Sequence, residues 1–512
     1  MGVEAEYPSR QIAVIDIGSN SVRLVLYRLE GRAVWTMFNE KVLAGLGRDL
    51  AATKRLSVPG VASAMTALRR FAAVIEGVQP DQTIIAATAA VREAEDGPEF
   101  CARVAAETGL QVRVLSGEEE ARYSALGVLA GAPGSQGVAA DMGGASLELT
   151  RIGNGGRNRP LDKGVTLPLG PFALTDPKGF DADRLRARIA KRLAPVADAY
   201  ATTDLHAVGG AWRSLAQMHM AMTDHPLRIV HEYAMTAADV RDLTRLVARQ
   251  SKASLEKLPG VSKRRAETLP YAALVLDGLI EALGLKSVTF SAWGVREGLL
   301  YAGMSPEMAA VDPLLAGCSA WGGRQGVDPA LPRALDGWLQ PVVSAMPEAF
   351  GEERDAVLTS SVCRLADLGA RLHPDHRVDL VFDQVLRSPI PGQTHAERAF
   401  LAVAMNARYG GEAKTPSPVA VDRLLSETGQ KRARALGLAM RLACDLSGRS
   451  PQLLANAAAT VEKGALRLTA AEGYADMLLG EQTRRRAKAL AEAMGLSLSL
   501  SLSLKMQEAT PH

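Results

Sequence analysis

The sequence predicts an α/β protein in two related halves, followed by a mainly helical region. Three observations predict it. A strand–Asp–Gly/Ser turn–strand pattern occurs twice, at residues 11–28 and again at 138–151. Short runs rich in Val and Ile alternate with helical spacing over the first three hundred residues, the texture of a layered α/β unit. From about residue 304 glycine and β-branched runs thin out, and Ala/Leu/Arg-rich helical patterns take over.

The elements follow in order. IAVIDI and VRLVLYRL read as two strands joined by a Gly-Ser-Asn-Ser turn. Val61, Met65, Leu68, Ala72 and Ile75 recur at helical spacing, so a helix covers 61–76. TIIAAT (83–88) is a strand, and a helix begins near Ala90. A strand at 112–115 and a helix at 118–129 close the first half. The second half opens with a strand at 138–141, turns at 143–146, returns at 147–151 and has a hairpin tip at 153–160. It ends near Trp293-Gly294. Late in the chain, 465–469 reads as a strand. The Leu-Ser tail around 496–504 alternates with period two and reads as an edge strand or a frayed low-complexity end. The expected domains are 1–125, 126–303 and 304–512.

Length and charge bound the function. At roughly 100–200 residues per domain, 512 residues suggest three or four domains. With 59 basic and 56 acidic residues the net charge is +3, which excludes a strongly basic coat protein but not a local basic groove. Cys101, Cys318, Cys363 and Cys444 are scattered without CxxC or zinc spacing, so reduced thiols are expected. MGVEAE offers no basic n-region and apolar h-region, nor a myristoylation motif at Gly2. No run approaches the ~20 apolar residues of a membrane span. The expected location is the cytoplasm.

Five constellations carry chemistry. In DIGSNSVR (16–23) a carboxylate ends a strand and small residues let backbone N–H groups point into one space, as in a phosphate nest. Asp16 there can serve Mg²⁺, which favours oxygen ligands; an ordinary hairpin is the alternative. DMGGASLE (141–148) repeats the design with one more acid, so two nests would face each other and two carboxylates would share a cation. In SGEEEAR (116–122) repulsion among Glu118, Glu119 and Glu120 can raise one pKa and make a general base. The same acids also suit the first turn of a helix capped by Ser116. Arg92, in TAAVREA (88–94), is placed on a first helical turn where it can grip phosphate oxygens or form a surface ion pair. In GVREG (294–298) glycines permit close backbone approach and Glu297 can fix a neighbouring loop.

Taken in order, AVIDIGSNSVRL, ATAAVREA, SGEEEARYSALG, DMGGASLEL, GVSKRRAETLPYAALVL and GVREGLLY resemble the exopolyphosphatase/guanosine pentaphosphate phosphohydrolase (Ppx/GppA) family over residues 11–303. The resemblance implies two RNase H-like (actin-like) domains around a cleft, followed by a mainly α-helical, HD-like C-terminal region. It implies that Glu120 is the catalytic base, that Asp141 and Glu148 lie around a magnesium ion, and that Gly18, Ser19, Asn20, Ser21, Arg92, Gly143, Gly144 and Ser146 bind phosphate. From their places in the first loop, Asp16 is expected to join the metal and Arg23 the phosphate. That set suffices for phosphoryl transfer, which needs mostly positioning and charge neutralisation. A glutamate beside the cleft makes water the acceptor.

The chain departs from the family pattern in places. Ala145 replaces a glycine of the second loop. In GGAWR (209–213) Trp212 stands where the family has a small residue, which puts nucleotide contact at that turn in doubt. In the C-terminal region Leu365-Ala366-Asp367 stands where an HD protein shows His-Asp. Tyr409-Gly410 lacks a following His, and His373 and His376 do not complete a ligand set. That region is expected to be metal-free and to serve substrate binding or dimerisation. Basic clusters at 263–265 and 484–486 are candidates for a polyphosphate path. The expected function is Mg²⁺-dependent exopolyphosphatase action by a homodimer. Guanosine pentaphosphate hydrolysis, or a non-enzymatic sensor, is the alternative.

Overall fold

The computed structural model describes residues 8–153, 161–175, 179–258, 261, 263–326, 328–411 and 414–504, without the side chains of Arg264 and 501–504. The expected hairpin tip at 153–160 lies outside the described residues beyond Gly153. The chain divides into two compact units, Met1–Pro313 and Leu314–His512.

In the first unit the Val/Ile runs at the start of the chain pair as β1 (Arg10–Ile17) and β2 (Val22–Glu30), antiparallel, with Asp16 opposite Arg23. A third strand, β3 (Ala33–Val42), pairs with β2. It is not among the strands expected from the sequence; it lies at a sheet edge and most of its residues are only partly buried or exposed. β4 (Gln82–Ala87) and β5 (Arg113–Val114) add in parallel, giving the order β3-β2-β1-β4-β5.

The second lobe repeats this plan. β6 (Gly137–Met142), β7 (Leu147–Ile152) and β8 (Val165–Leu167) form its antiparallel half, with Asp141 opposite Glu148. β9 (Asp204–Val208), β10 (Tyr233–Thr236) and β11 (Ser287–Phe290) complete the order β10-β11-β9-β6-β7-β8. Read from β8, the first five strands reproduce the topology of the first sheet, with one strand added at the far edge. This is the paired RNase H-like arrangement expected from the motifs.

The helix Val58–Val78 is, by length and composition, apolar enough to cross a membrane, contrary to the expectation that no such run exists. It instead lays Met65, Leu68 and Phe71 into the core of the first lobe, while Arg69 and Arg70 take the outer face. Three- and four-residue spacing separates these two sides of one helix.

Two helices pack at the junction of the lobes: Gly117–Gly131 and Val295–Ala302. Residue 125, an expected domain boundary, falls inside the first of them. Leu299 and Leu300 of the second return to the first lobe and pack with Ile12, Val14 and Val25. Their close approach requires glycine. A Cβ on Gly298 would stand 1.7 Å from the Tyr123 carbonyl oxygen, and one on Gly127 would stand 2.1 Å from that of Gly294. Gly298→Ala is therefore expected to lower stability by about 1–3 kcal/mol or more by forcing the helices apart. A melting temperature equal to wild type would refute this packing.

The second unit is mainly helical. Glu352–Arg364, Arg377–Leu386, His395–Arg408 and Glu427–Ser447 bury Leu358, Phe382, Phe400 and Met440 among others. A three-stranded sheet of β12 (Ala457–Glu462), β13 (Ala465–Ala471) and β14 (Ser497–Leu504) has the order β12-β13-β14. The Leu-Ser tail is thus an edge strand, parallel to β13. Trp338 ties a helix to this sheet by donating to the Ala457 carbonyl at 2.8 Å.

Candidate functional site

The two Gly/Ser turns close in the same way. Gly18 N–H donates to the Ser21 carbonyl at 2.9 Å, and Gly143 N–H to the Ser146 carbonyl at 3.0 Å. Each turn is also held by the strand-exit segment of its own lobe. Gly45 and Gly47 donate to the carbonyls of Asn20 and Ser19, while Gly170 and Phe172 donate to those of Ala145 and Gly144. The duplication therefore extends to the supports of the loops. The loops meet: a Cβ on Gly144 would lie 3.0 Å from that of Ser19. Small residues at these positions are what let two nests converge on one space.

The matching strand ends differ in charge. In the first lobe Asp16 stands across from Arg23, whereas in the second Asp141 stands across from Glu148. Like charges directly opposite on adjacent strands are unfavourable, so the second lobe concentrates negative charge.

Glu120 joins that concentration. The three acids of SGEEEAR do three separate things, because helical geometry turns successive residues about 100° apart. Glu118 is exposed. Glu119 completes a capping box with Ser116. Glu120 is buried and accepts from Arg92 Nη1 at 2.8 Å. Burial, then Asp141 and Asp16, push its carboxyl up to about 7, against the pull of Arg92. Burial, expected to contribute, leads, and the repulsion comes from Asp141 and Asp16 instead of from within the triplet. Ser124, four residues on and so on the same helix face, donates to Asp141 Oδ2 at 2.7 Å. Burial and nearby Asp16 raise Asp141 to about 6, opposed by Ser124 and Arg296. Burial raises Glu148 further, helped by Glu120 and Asp141.

Arg92 and Asp16 each have a charged partner within the protein. Arg92 lies in the last turn of the five-residue helix Ala89–Glu93. Its Nη1 is shared between Glu120 and the Leu115 carbonyl. Asp16 ends β1 as expected, and Arg296 Nη1 donates to its Oδ2 at 3.0 Å. Glu297 fixes its own turn by accepting from Gly294 N–H at 3.0 Å and from the Tyr27 hydroxyl at 2.6 Å.

Among the described residues, no group of three or more His, Cys, Asp or Glu side chains can hold a metal ion unaided. Mg²⁺ does not need one: it takes one or two carboxylates, several waters and substrate phosphates. Glu148 Oε1 and Ser146 Oγ are buried without a hydrogen bond of standard geometry. A buried carboxylate beside two acids held above their usual range fits such a cation.

A basic cluster gathers Arg23 of the first loop, Arg265 of the expected 263–265 cluster and Arg296 of GVREG with Lys41 and Arg213, which no motif announced. Arg23, Lys41, Arg213, Arg265 and Arg296 come from five segments and act on one another. Burial, then Arg296 and Arg213, lower Arg23 to about 10. Lys41 is exposed, yet desolvation of its ammonium by the surrounding protein, then Arg265 and Arg23, bring it to about 8. Burial and then Arg296 lower Arg213, and burial and then Arg213 lower Arg265. Gly210 leaves room for Arg265, whose Nη2 would lie 2.6 Å from a Cβ there. Trp212, the suspected obstacle, is fully buried and donates to the Ala272 carbonyl at 2.9 Å. The cleft side of that turn is Arg213 instead.

Of the other basic clusters, Arg486 is paired with Asp445 at 2.8 Å and Arg484 donates to the Leu479 carbonyl. In the C-terminal unit Asp367 is buried and meets Arg449 Nη1 at 3.2 Å. His373 and His376 are exposed.

Comparison with known proteins supports the fold and the family. Over 445 residues the chain is 25% identical to Retrograde regulation protein 2 of Saccharomyces cerevisiae, covering 80% of this chain and 74% of that one. Over 304 residues it is 28% identical to Exopolyphosphatase 1 of Mycobacterium tuberculosis, covering 57% and 87%. The fold matches an exopolyphosphatase from Cytophaga hutchinsonii with a TM-score of 0.53 and 22% identity, over 58% of this chain and 99% of that one. It also matches an Aquifex aeolicus Ppx/GppA family member with a TM-score of 0.50 and 24% identity, over 57% and 97%. The exopolyphosphatase C-terminal family model matches residues 343–501. The Ppx/GppA phosphatase family model matches residues 25–307, more than half of the sequence, and the chain belongs to that family.

Proposed function

We propose that the chain is a Mg²⁺-dependent exopolyphosphatase that removes terminal phosphates from inorganic polyphosphate and releases orthophosphate. The observation that carries this reading is the division of charge in the cleft. Glu120, Asp141 and Glu148 form one mutually interacting group beside the paired loops, and Arg23, Lys41, Arg213 and Arg265 form another. The terminal phosphate sits in the nests of residues 18–21 and 143–146. The remainder of the anion runs toward the cations, whose mutual repulsion it relieves. Glu120, poised near 7, takes a proton from water as the water oxygen bonds to the terminal phosphorus and the P–O–P bridge breaks. Arg92 orients that carboxylate, and Arg296 holds Asp16. Magnesium, held by Asp141, Glu148 and the phosphates, would neutralise charge on the phosphate oxygens.

The name of the mycobacterial relative supports the substrate. The yeast relative, named for regulation, matches a longer stretch and supports a second reading, a non-hydrolytic regulator. The retained Glu120, Asp141 and Glu148 favour hydrolysis. Phosphate release from long polyphosphate and from guanosine pentaphosphate, each with Mg²⁺, separates the readings. Polyphosphate is expected to be the faster substrate, and inertness toward both would sink the enzyme reading. Lys41→Met with Arg213→Ala is expected to raise KM for polyphosphate about tenfold and to flatten its salt dependence, because fewer cations meet the polyanion. An unchanged KM would remove the basic cluster from the substrate path.

A further inference from the structure

We infer that the C-terminal unit carries a nucleotide site: a cavity of about 520 Å³ that takes a nucleoside phosphate through Trp321, Arg371 and Arg387. The cavity is made wholly by residues of that unit, and Gln325, Leu368, Leu372, Gln384, Ser388 and Pro389 supply the rest of its lining. Its volume falls in the range of small-molecule sites, about 300–1,000 Å³.

The lining is chemically two-sided. Trp321, Leu368, Leu372 and Pro389 offer an aromatic and aliphatic surface. Arg371 and Arg387 offer guanidinium forks, and Gln325 and Gln384 carry amides that both donate and accept. No carboxylate lines it. A bare phosphate chain would leave the apolar half unused, and an uncharged planar molecule would leave the arginines unused. A base against Trp321 with its phosphates on Arg371 and Arg387 uses both, since stacking suits any base and guanidinium suits phosphate bidentately. Arg387 is shared with Asp383 one turn earlier, an exposed pair that a phosphate can displace at little cost.

The walls are held in place. Gly322, beside Trp321, approaches so closely that a Cβ there would lie 1.9 Å from the Arg364 carbonyl oxygen. Arg364 in turn donates to Ser319 at 2.9 Å. The segment leading to Leu368 and Arg371 is pinned by Tyr409, which donates to the Ala366 carbonyl and accepts from Gly369 N–H, both at 2.8 Å. Ser388 is fixed by Arg398 at its carbonyl and by Gln393 at its hydroxyl. A cavity with fixed walls loses little ordering entropy on binding.

The test is calorimetric titration of the full chain with ATP and with GTP, with tryptophan fluorescence recorded alongside. Saturable binding below ~1 mM is expected for at least one. Arg371→Ala with Arg387→Ala should weaken it about tenfold or more. Arg371→Lys with Arg387→Lys keeps the charge, guards against a folding defect and should weaken it less. Trp321→Phe should retain binding but lose the fluorescence change. No saturable binding, or binding unchanged in both arginine variants, overturns the site.

Discussion

Glu120→Gln is expected to reduce kcat for phosphate release by about 10²–10⁴-fold while leaving the affinity for polyphosphate within about twofold of wild type. The amide keeps the size and place of the carboxylate but cannot accept the proton. The nests and the basic cluster, which hold the anion, are untouched. The sign of the pH dependence follows from the same group. Because Glu120 is held near 7, the active carboxylate form accumulates as pH rises, and kcat should climb through about pH 7 and level off. Lys41, brought to about 8, loses its charge above that pH, so KM should rise on the alkaline side. In Glu120→Gln the acid limb near 7 should vanish from whatever activity remains, while the alkaline rise in KM persists. Wild-type turnover in the variant would end the assignment of Glu120 as base.

How much of this was legible depends on the residue. β1, β2, β6 and β7 were readable because buried strands demand continuous Val/Ile/Leu runs, and sharp turns demand small residues. β3 and β8 were not: one lies at a partly exposed edge, the other is three residues long. Glu120 was visible as one of three equivalent acids. The resemblance singled it out, and burial, a tertiary property, separates it from Glu118 and Glu119 in the structure. The pairing of Asp141 with Glu148 followed from a hairpin, a local feature. The basic side of the cleft did not, because positions 23, 41, 213, 265 and 296 meet only when both lobes are folded. Trp212 drew attention in the sequence as an oddity. It proves to be core, and its neighbour Arg213 is the residue that changes the cleft.

In the C-terminal unit the largest single loss of stability is expected at Asp355. Its carboxylate is 1% exposed. It accepts from Ala349 N–H at 2.8 Å and from Phe350 N–H at 3.1 Å, and Arg432 Nε lies 3.3 Å away. Arg432, also buried, donates to the carbonyls of Met346 and Pro347, both at 2.9 Å. The pair therefore clamps residues 346–350 between the helices Glu352–Arg364 and Glu427–Ser447. Asp355→Ala strands a buried guanidinium and two backbone donors, so a loss of about 3–5 kcal/mol is expected. Asp355→Leu with Arg432→Met removes both charges and should cost less than Asp355→Ala alone, because the main penalty is the unpaired charge and not the missing attraction. Chemical denaturation of the three proteins measures this order. A single variant within about 1 kcal/mol of wild type would show that water reaches the guanidinium.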